Sequence, residues 1–264
     1  MIELEELHRQ AGELEGLLRM QTMPLGLKML KSIDEIPKEA KRPLKDLGYH
    51  LSFCQALALS RRQGWVIAET KEDMWCFEPV VGLGFTKPPK RFLEGYNRYP
   101  DTASTLEAGS TWARNMPRFD YGLYSAVVVA PLSKINFEPD IFIVYGEPAK
   151  MTQIMLAKIW LDGKDINPVL SGHAACIYYV VPPIKGMKWN ISLPCGGDLR
   201  RAACETNNMV FSAPIKEISG LLKGLKAIQD EDLGLPLHLS PAIEYPLPAS
   251  YVDIGKIAGM DWVK

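Results

Sequence analysis

Leu4, Leu7, Leu14, Leu17 and Leu18 recur at helical spacing with glutamates between them, which predicts an amphipathic helix over residues 3–20. Pro24 ends that pattern, and LGLKML at 25–30 reads as a strand. Residues 31–48 are rich in Lys, Asp and Pro and predict a surface connection with room for a short helix. A second helix is expected over 50–64, with Ser52 as its cap, Arg61 and Arg62 in its last turn and Gly64 closing it. Strands are expected at 64–70, 124–132, 139–146, 176–183, 188–194 and 208–214. The segment 124–132 is apolar on both faces and reads as central. Further helices are expected at 104–116, at 148–163 between Pro148 and Gly163, from the glycine turn at 195–205, and at 214–228. KPPKRFLEGYNRYPDT (87–102) reads as a loop with a short helix around 89–96.

Strands and helices mix without strict βαβ alternation, and no fixed-period repeat or low-complexity linker interrupts them. The expectation is an α+β fold: a mixed, mostly antiparallel sheet with packed helices in a single body over 1–230. The proline-rich segment 231–264, which carries Trp262, is expected to be an arm on that body or on a neighbouring subunit, consistent with a homo-oligomer.

Composition narrows the function. With 264 residues and 47% apolar side chains, a sizeable core is available. The 30 basic and 31 acidic residues leave a net charge of −1, which lacks the basic excess of a nucleic-acid binder. Glutamates break up the N-terminal leucines, so no signal peptide is read there, and no apolar run approaches the ~20 residues of a membrane span. A cytoplasmic location is expected, where five cysteines do not form a disulfide framework.

Those five thiols are the main chemical lead. Cys54, Cys76, Cys176 and Cys195 each fall where a predicted element starts or turns. No CxxC is present, so zinc-ribbon and ferredoxin spacings are excluded. For any one thiol the competing reading is core filling, which is preferred for Cys204 in RRAACE. In SLPCGGDLRR the glycines permit tight turns whose N–H groups favour a thiolate at Cys195. His173, three residues before Cys176, suits a zinc site or an axial haem position, against the alternative of a loop histidine. Arg62 and Arg200 belong to two RR pairs beside cysteine segments. They are candidates to bind an anion or offset a negative cofactor, against simple helix-dipole complementation. GLGF (82–85) is too short for a dinucleotide fingerprint, and no GxSxG, HExxH or Walker A occurs, so no catalytic residue is nominated.

Taken in order, PLGLK (24–28), CQALALSRRQG (54–64), WCFEPVVGLGF (75–85), PDIFIVYGEPAK (139–150), GHAAC (172–176) and LPCGGDLRR (193–201) resemble the DUF169 family of prokaryotic proteins, over roughly residues 20–230. The resemblance implies that Cys54, Cys76, Cys176 and Cys195 form a set; Cys204 lies outside the matching motifs. It also implies an anaerobic setting, in which an oxygen-sensitive centre persists. The expectation is therefore one [4Fe–4S] cluster on those four thiols, with Arg62, Arg200 and His173 near it, serving electron transfer or reduction of a small anionic substrate with a redox partner protein. The alternatives are an accessory protein for a metal, haem or tetrapyrrole, a thiol enzyme using Cys195, and an assembly subunit whose cysteines are all core.

Overall fold

A computed structural model describes residues 3–187, 189–230, 234–235 and 249–260. The apolar runs read above form six strands: β1 (Leu25–Leu30), β2 (Ile67–Glu69), β3 (Ala126–Pro131), β4 (Ile141–Gly146), β5 (Asn190–Ser192) and β6 (Met209–Pro214). They make one sheet in the order β2-β3-β1-β4-β6-β5, every neighbouring pair antiparallel. The fold class is α+β as expected. β3 and β4 are buried at every position, which is what a strand apolar on both faces requires.

Alternation along the strands divides the core in two. Leu25, Leu27, Val127, Val129, Ile141 and Ile143 face one set of helices. On that side lie α2 (Phe53–Gln63), α3 (Phe77–Gly82), α4 (Lys90–Leu93), α5 (Leu106–Asn115) and α7 (Ala175–Ile184). Ala130, Phe142, Val144, Phe211 and Ala213 face α1 (Leu4–Leu18), α6 (Pro148–Asp162) and α9 (Ile218–Asp230) on the other. α2 begins as its sequence indicates: Ser52 and Gln55 form a reciprocal capping box, and Gly64 closes the helix at φ 76°.

The expected strand at 176–183 is instead the helix α7, buried along nearly its whole length. A short run that is apolar at every position has no period to separate a buried strand from a helix buried all round. The β-branched and aromatic residues of CIYYVV favour a strand locally, but packing prevails. Pro182 and Pro183 lie in the last turn, where each removes a backbone donor. The Tyr178 carbonyl, which Pro182 cannot serve, accepts a bond from Asn190 Nδ2 at 2.8 Å. Asn190 is fully buried on β5 and also accepts from the Val169 N–H at 2.8 Å.

α6 and α9 cross closely because residue 224 is glycine. A Cβ there would stand 2.7 Å from the Ala157 carbonyl oxygen, a backbone atom with little freedom to retreat. Gly224→Ala is expected to lose about 1–3 kcal/mol to overpacking, more than the ~1 kcal/mol gained in helix propensity. A urea melt checks it, and an unchanged or raised midpoint would show that α9 shifts freely on α6.

Most of the expected C-terminal arm, including Trp262, lies outside the described residues. Within it, α10 (Ala249–Ile257) turns Tyr251, Ile254 and Ile257 to solvent.

Candidate functional site

Four cysteines stand at four helix starts, two of them marked by capping boxes at Ser52–Gln55 and Cys195–Asp198. Cys54 is the second residue of α2, after the Ser52 cap. Cys76 is the N-cap of α3, and Cys176 is the second residue of α7. Cys195 is the N-cap of α8 (Gly196–Arg201). All four side chains line a single pocket of about 540 Å³. Because α7 is a helix, Cys176 reaches the pocket from a helix N-terminus and not from a strand beside Cys195. Gly197 leaves room for the sulfurs: a Cβ there would lie 3.4 Å from Cys195 Sγ and 3.7 Å from Cys54 Sγ. Helix N-termini carry positive partial charge and unpaired N–H groups, so the arrangement suits a negatively charged centre.

The protein alone keeps these thiols protonated. Burial, followed by the Asp198 carboxylate, pushes Cys54 up to about 12, although a Ser52 hydroxyl 3.1 Å from its sulfur works the other way. Burial and then Glu78 raise Cys76. Burial, Asp198 and the other three cysteines hold Cys176 well above the usual thiol range. Cys195 was expected to be lowered by its glycine turn. Its sulfur does accept backbone N–H bonds from Asp198 and Ala175, but burial and the Asp198 charge outweigh them and the thiol is raised. Joint ionisation of the four therefore needs more positive charge than the pocket's own side chains supply. Among the described residues, no three His, Cys, Asp or Glu side chains stand close enough to grip one metal ion.

Asp198 anchors the floor of the site. One oxygen accepts from the Cys195 N–H at 2.9 Å and the other from the Tyr179 hydroxyl at 3.0 Å. Since the Tyr179 proton is committed there, Tyr145 donates to the Tyr179 oxygen across 3.1 Å. The Arg61 guanidinium lies 4.4 Å from the centre of the Tyr145 ring. This buried series fixes the start of α8 and with it Cys195.

Of the other candidates, His173 and Arg200 line the pocket. His173 Nδ1 lies 3.4 Å from Arg98, and burial together with that cation lowers the imidazole pKa. Arg62 is elsewhere: it donates to the Ala203 carbonyl at 2.7 Å and pairs with Glu205, which also takes Arg61. Its expected place beside the cysteines is corrected on that ground. Cys204 does not line the pocket; it is buried in the core, and burial raises it to about 11.

Sequence reading missed Asn97, Arg98 and Glu78, all on the pocket wall, while Arg201, the second member of the pair with Arg200, also lines it. Arg98 pairs with Glu78 and stacks 4.3 Å from the centre of the Trp112 ring. Arg201 stacks 4.6 Å from the Trp75 ring. Nothing in the loop-like 87–102 segment marks Asn97 or Arg98. Asp198 did carry a signal, because an acid three residues after an N-cap has capping-box spacing.

Fold and pocket together define an α+β protein with four cysteines gathered at helix N-termini around one cavity. A family model matches residues 13–224, and the chain belongs to that family, DUF169, described as uncharacterised ArCR. No curated protein and no solved structure matches it. Among the described residues, no helix is long and apolar enough to cross a membrane.

Proposed function

We propose that the chain is an iron–sulfur protein that binds one [4Fe–4S] cluster through Cys54, Cys76, Cys176 and Cys195. It would serve cytoplasmic electron transfer in an anaerobe, or the reduction of a small anion bound beside the cluster. The observation that carries this reading is the lining of one pocket by four cysteines drawn from four separate helix starts.

The residues fit such a group on three counts. The number of thiols matches four-cysteine ligation. All four line one cavity, although among the described residues no trio stands close enough to hold a single ion. The N–H bonds from Asp198 and Ala175 to Cys195 Sγ are the kind that tune a cluster's potential. The cluster supplies one-electron chemistry, while the protein's own residues hold the sulfurs, limit water and complement the charge. A redox partner protein and self-association belong to the same proposal.

The alternatives fit less well. A single zinc ion lacks a close ligand trio among the described residues. A tetrapyrrole carrier calls for an apolar cavity, whereas Glu78, Asn97, Arg98, Asp101, Arg200 and Arg201 line this one. A thiol nucleophile calls for a lowered pKa, and burial raises Cys195.

Protein purified without oxygen tests the proposal. Four iron and four acid-labile sulfide per chain, with a broad visible thiolate-to-iron band, are the expected result. A colourless protein free of iron and sulfide would end it.

A further inference from the structure

α6 is apolar on two sides. Met151, Ile154 and Ala157 bury one side in the core that α6 shares with α9. From Met151 to Leu161 the residues turned to solvent are Thr152, Met155, Ile159, Trp160 and Leu161, none of them charged. The one charged residue of that stretch, Lys158, is buried and paired with Asp162. A helix that is apolar on all sides belongs inside an assembly.

α10 has the matching need. It is nine residues long, too short to hold as an isolated helix in water. Only Gly255 of it is buried. Tyr251, Ile254 and Ile257 point outward three residues apart on one side, Ile257 to 87% exposure. Such a helix is stable when its apolar side is covered.

α6 of a second copy fits as the cover. Within one chain both faces stay open, so α10 does not lie across its own α6. Residues 231–248 link α9 to α10, and a chain of that length reaches ~60 Å at most, enough to carry α10 to a neighbour. Charge agrees with the pairing. Lys223 of α9 stands over the Trp160 ring at 5.6 Å, at the rim of the α6 face, and α10 carries the exposed Asp253 beside Ile254. Two chains that exchange α10 make the same contact twice about a two-fold axis. Covering Tyr251, Ile254 and Ile257 with Met155, Ile159 and Trp160 in both contacts buries on the order of 1,500 Å², the size of a specific interface.

We infer that α10 of one chain packs across the Met155–Ile159–Trp160 face of α6 in a second copy, and that reciprocal exchange makes a two-fold dimer. The inference rests on the self-association proposed above, for which it names the surface, and not on the cluster.

Sedimentation equilibrium of the full chain tests it. The parent is expected at twice the chain mass at micromolar concentration. Ile159→Lys on α6 and Ile254→Glu on α10 both replace exposed side chains, and circular dichroism checks that the fold is kept. Each variant alone should weaken the dimer by about tenfold or more. Mixed in equal amounts, the two should dimerise again. One contact then has both natural faces, and the other sets the introduced lysine against the introduced glutamate. A monomeric parent overturns the inference and the self-association together. A dimeric parent that only one variant or neither weakens, or a pair of variants that does not recover on mixing, overturns the exchange and leaves self-association standing.

Discussion

On the proposed cluster reading, serine in place of any one of Cys54, Cys76, Cys176 or Cys195 is expected to lower iron and sulfide per chain by more than about tenfold, a loss at least as large as removing a supporting residue around a metal centre. Cys204→Ser is expected to leave both near the parent level. The asymmetry follows from position. The four line one pocket, each at a helix start, whereas Cys204, buried in the same core as Cys176 and Cys195, does not line it. A serine hydroxyl keeps the shape of a thiol but does not ionise at neutral pH, so it supplies no strong ligand. Stability must be measured beside composition, because all but Cys76 of the five are buried and a core cysteine also resents a polar replacement. A ligand loses iron at any stability; a core thiol loses stability and keeps the iron. Equal iron loss in the Cys204 variant, or full iron in any of the other four, would break the assignment.

Much of this arrangement was legible in the chain, and the failures have physical causes. β1, β3, β4 and β6 stand where short apolar runs between turn residues placed them. α2 stands where Ser52 and Gly64 bounded it. Such signals are local, and local chemistry suffices to set them. α7 was misread because CIYYVVPP is apolar throughout and its strand-like composition was overridden by burial on every side. Asn190, which compensates for Pro182, comes from a different element, and no local pattern announces it. Arg62 was misplaced for a similar reason. Its partner Glu205 is distant in sequence, and an RR pair looks the same whether it faces a substrate or an internal carboxylate. The four cysteines were grouped through the family resemblance and their places at element boundaries, not by spacing. Asn97 and Arg98 lie in a segment whose composition says only loop, and Arg98 is brought to the pocket wall by Glu78 and Trp112, both outside its own segment.

Glu69→Gln is expected to stabilise the protein increasingly as pH rises. Strand alternation turns Glu69 to the same face as Ile67, the face that α2 covers, and the side chain is 1% exposed. Both carboxyl oxygens are buried without a hydrogen-bond partner. Burial, with Asp73 adding to it, raises the carboxyl well above its ordinary 4.5. The unfolded chain ionises Glu69 near that ordinary value, while the folded chain holds its proton to higher pH. Stability from this group is therefore fully present below about pH 4.5 and is lost as pH rises toward the folded pKa, at about 1.4 kcal/mol per pH unit. Glutamine has no such proton to lose. The parent and the variant should run parallel in acid and diverge progressively as pH rises above the ordinary carboxyl range. Urea melts from pH 4 to 8 supply the comparison, and curves that stay parallel throughout would show that Glu69 ionises freely in the fold. The neutral state also suits the site. An ionised Glu69 opposes thiolate formation at Cys54, so a carboxyl that holds its proton leaves the start of α2 positive. If the proposed cluster is bound, iron content in Glu69→Gln should match the parent, separating this group's effect on stability from the cysteines' effect on iron.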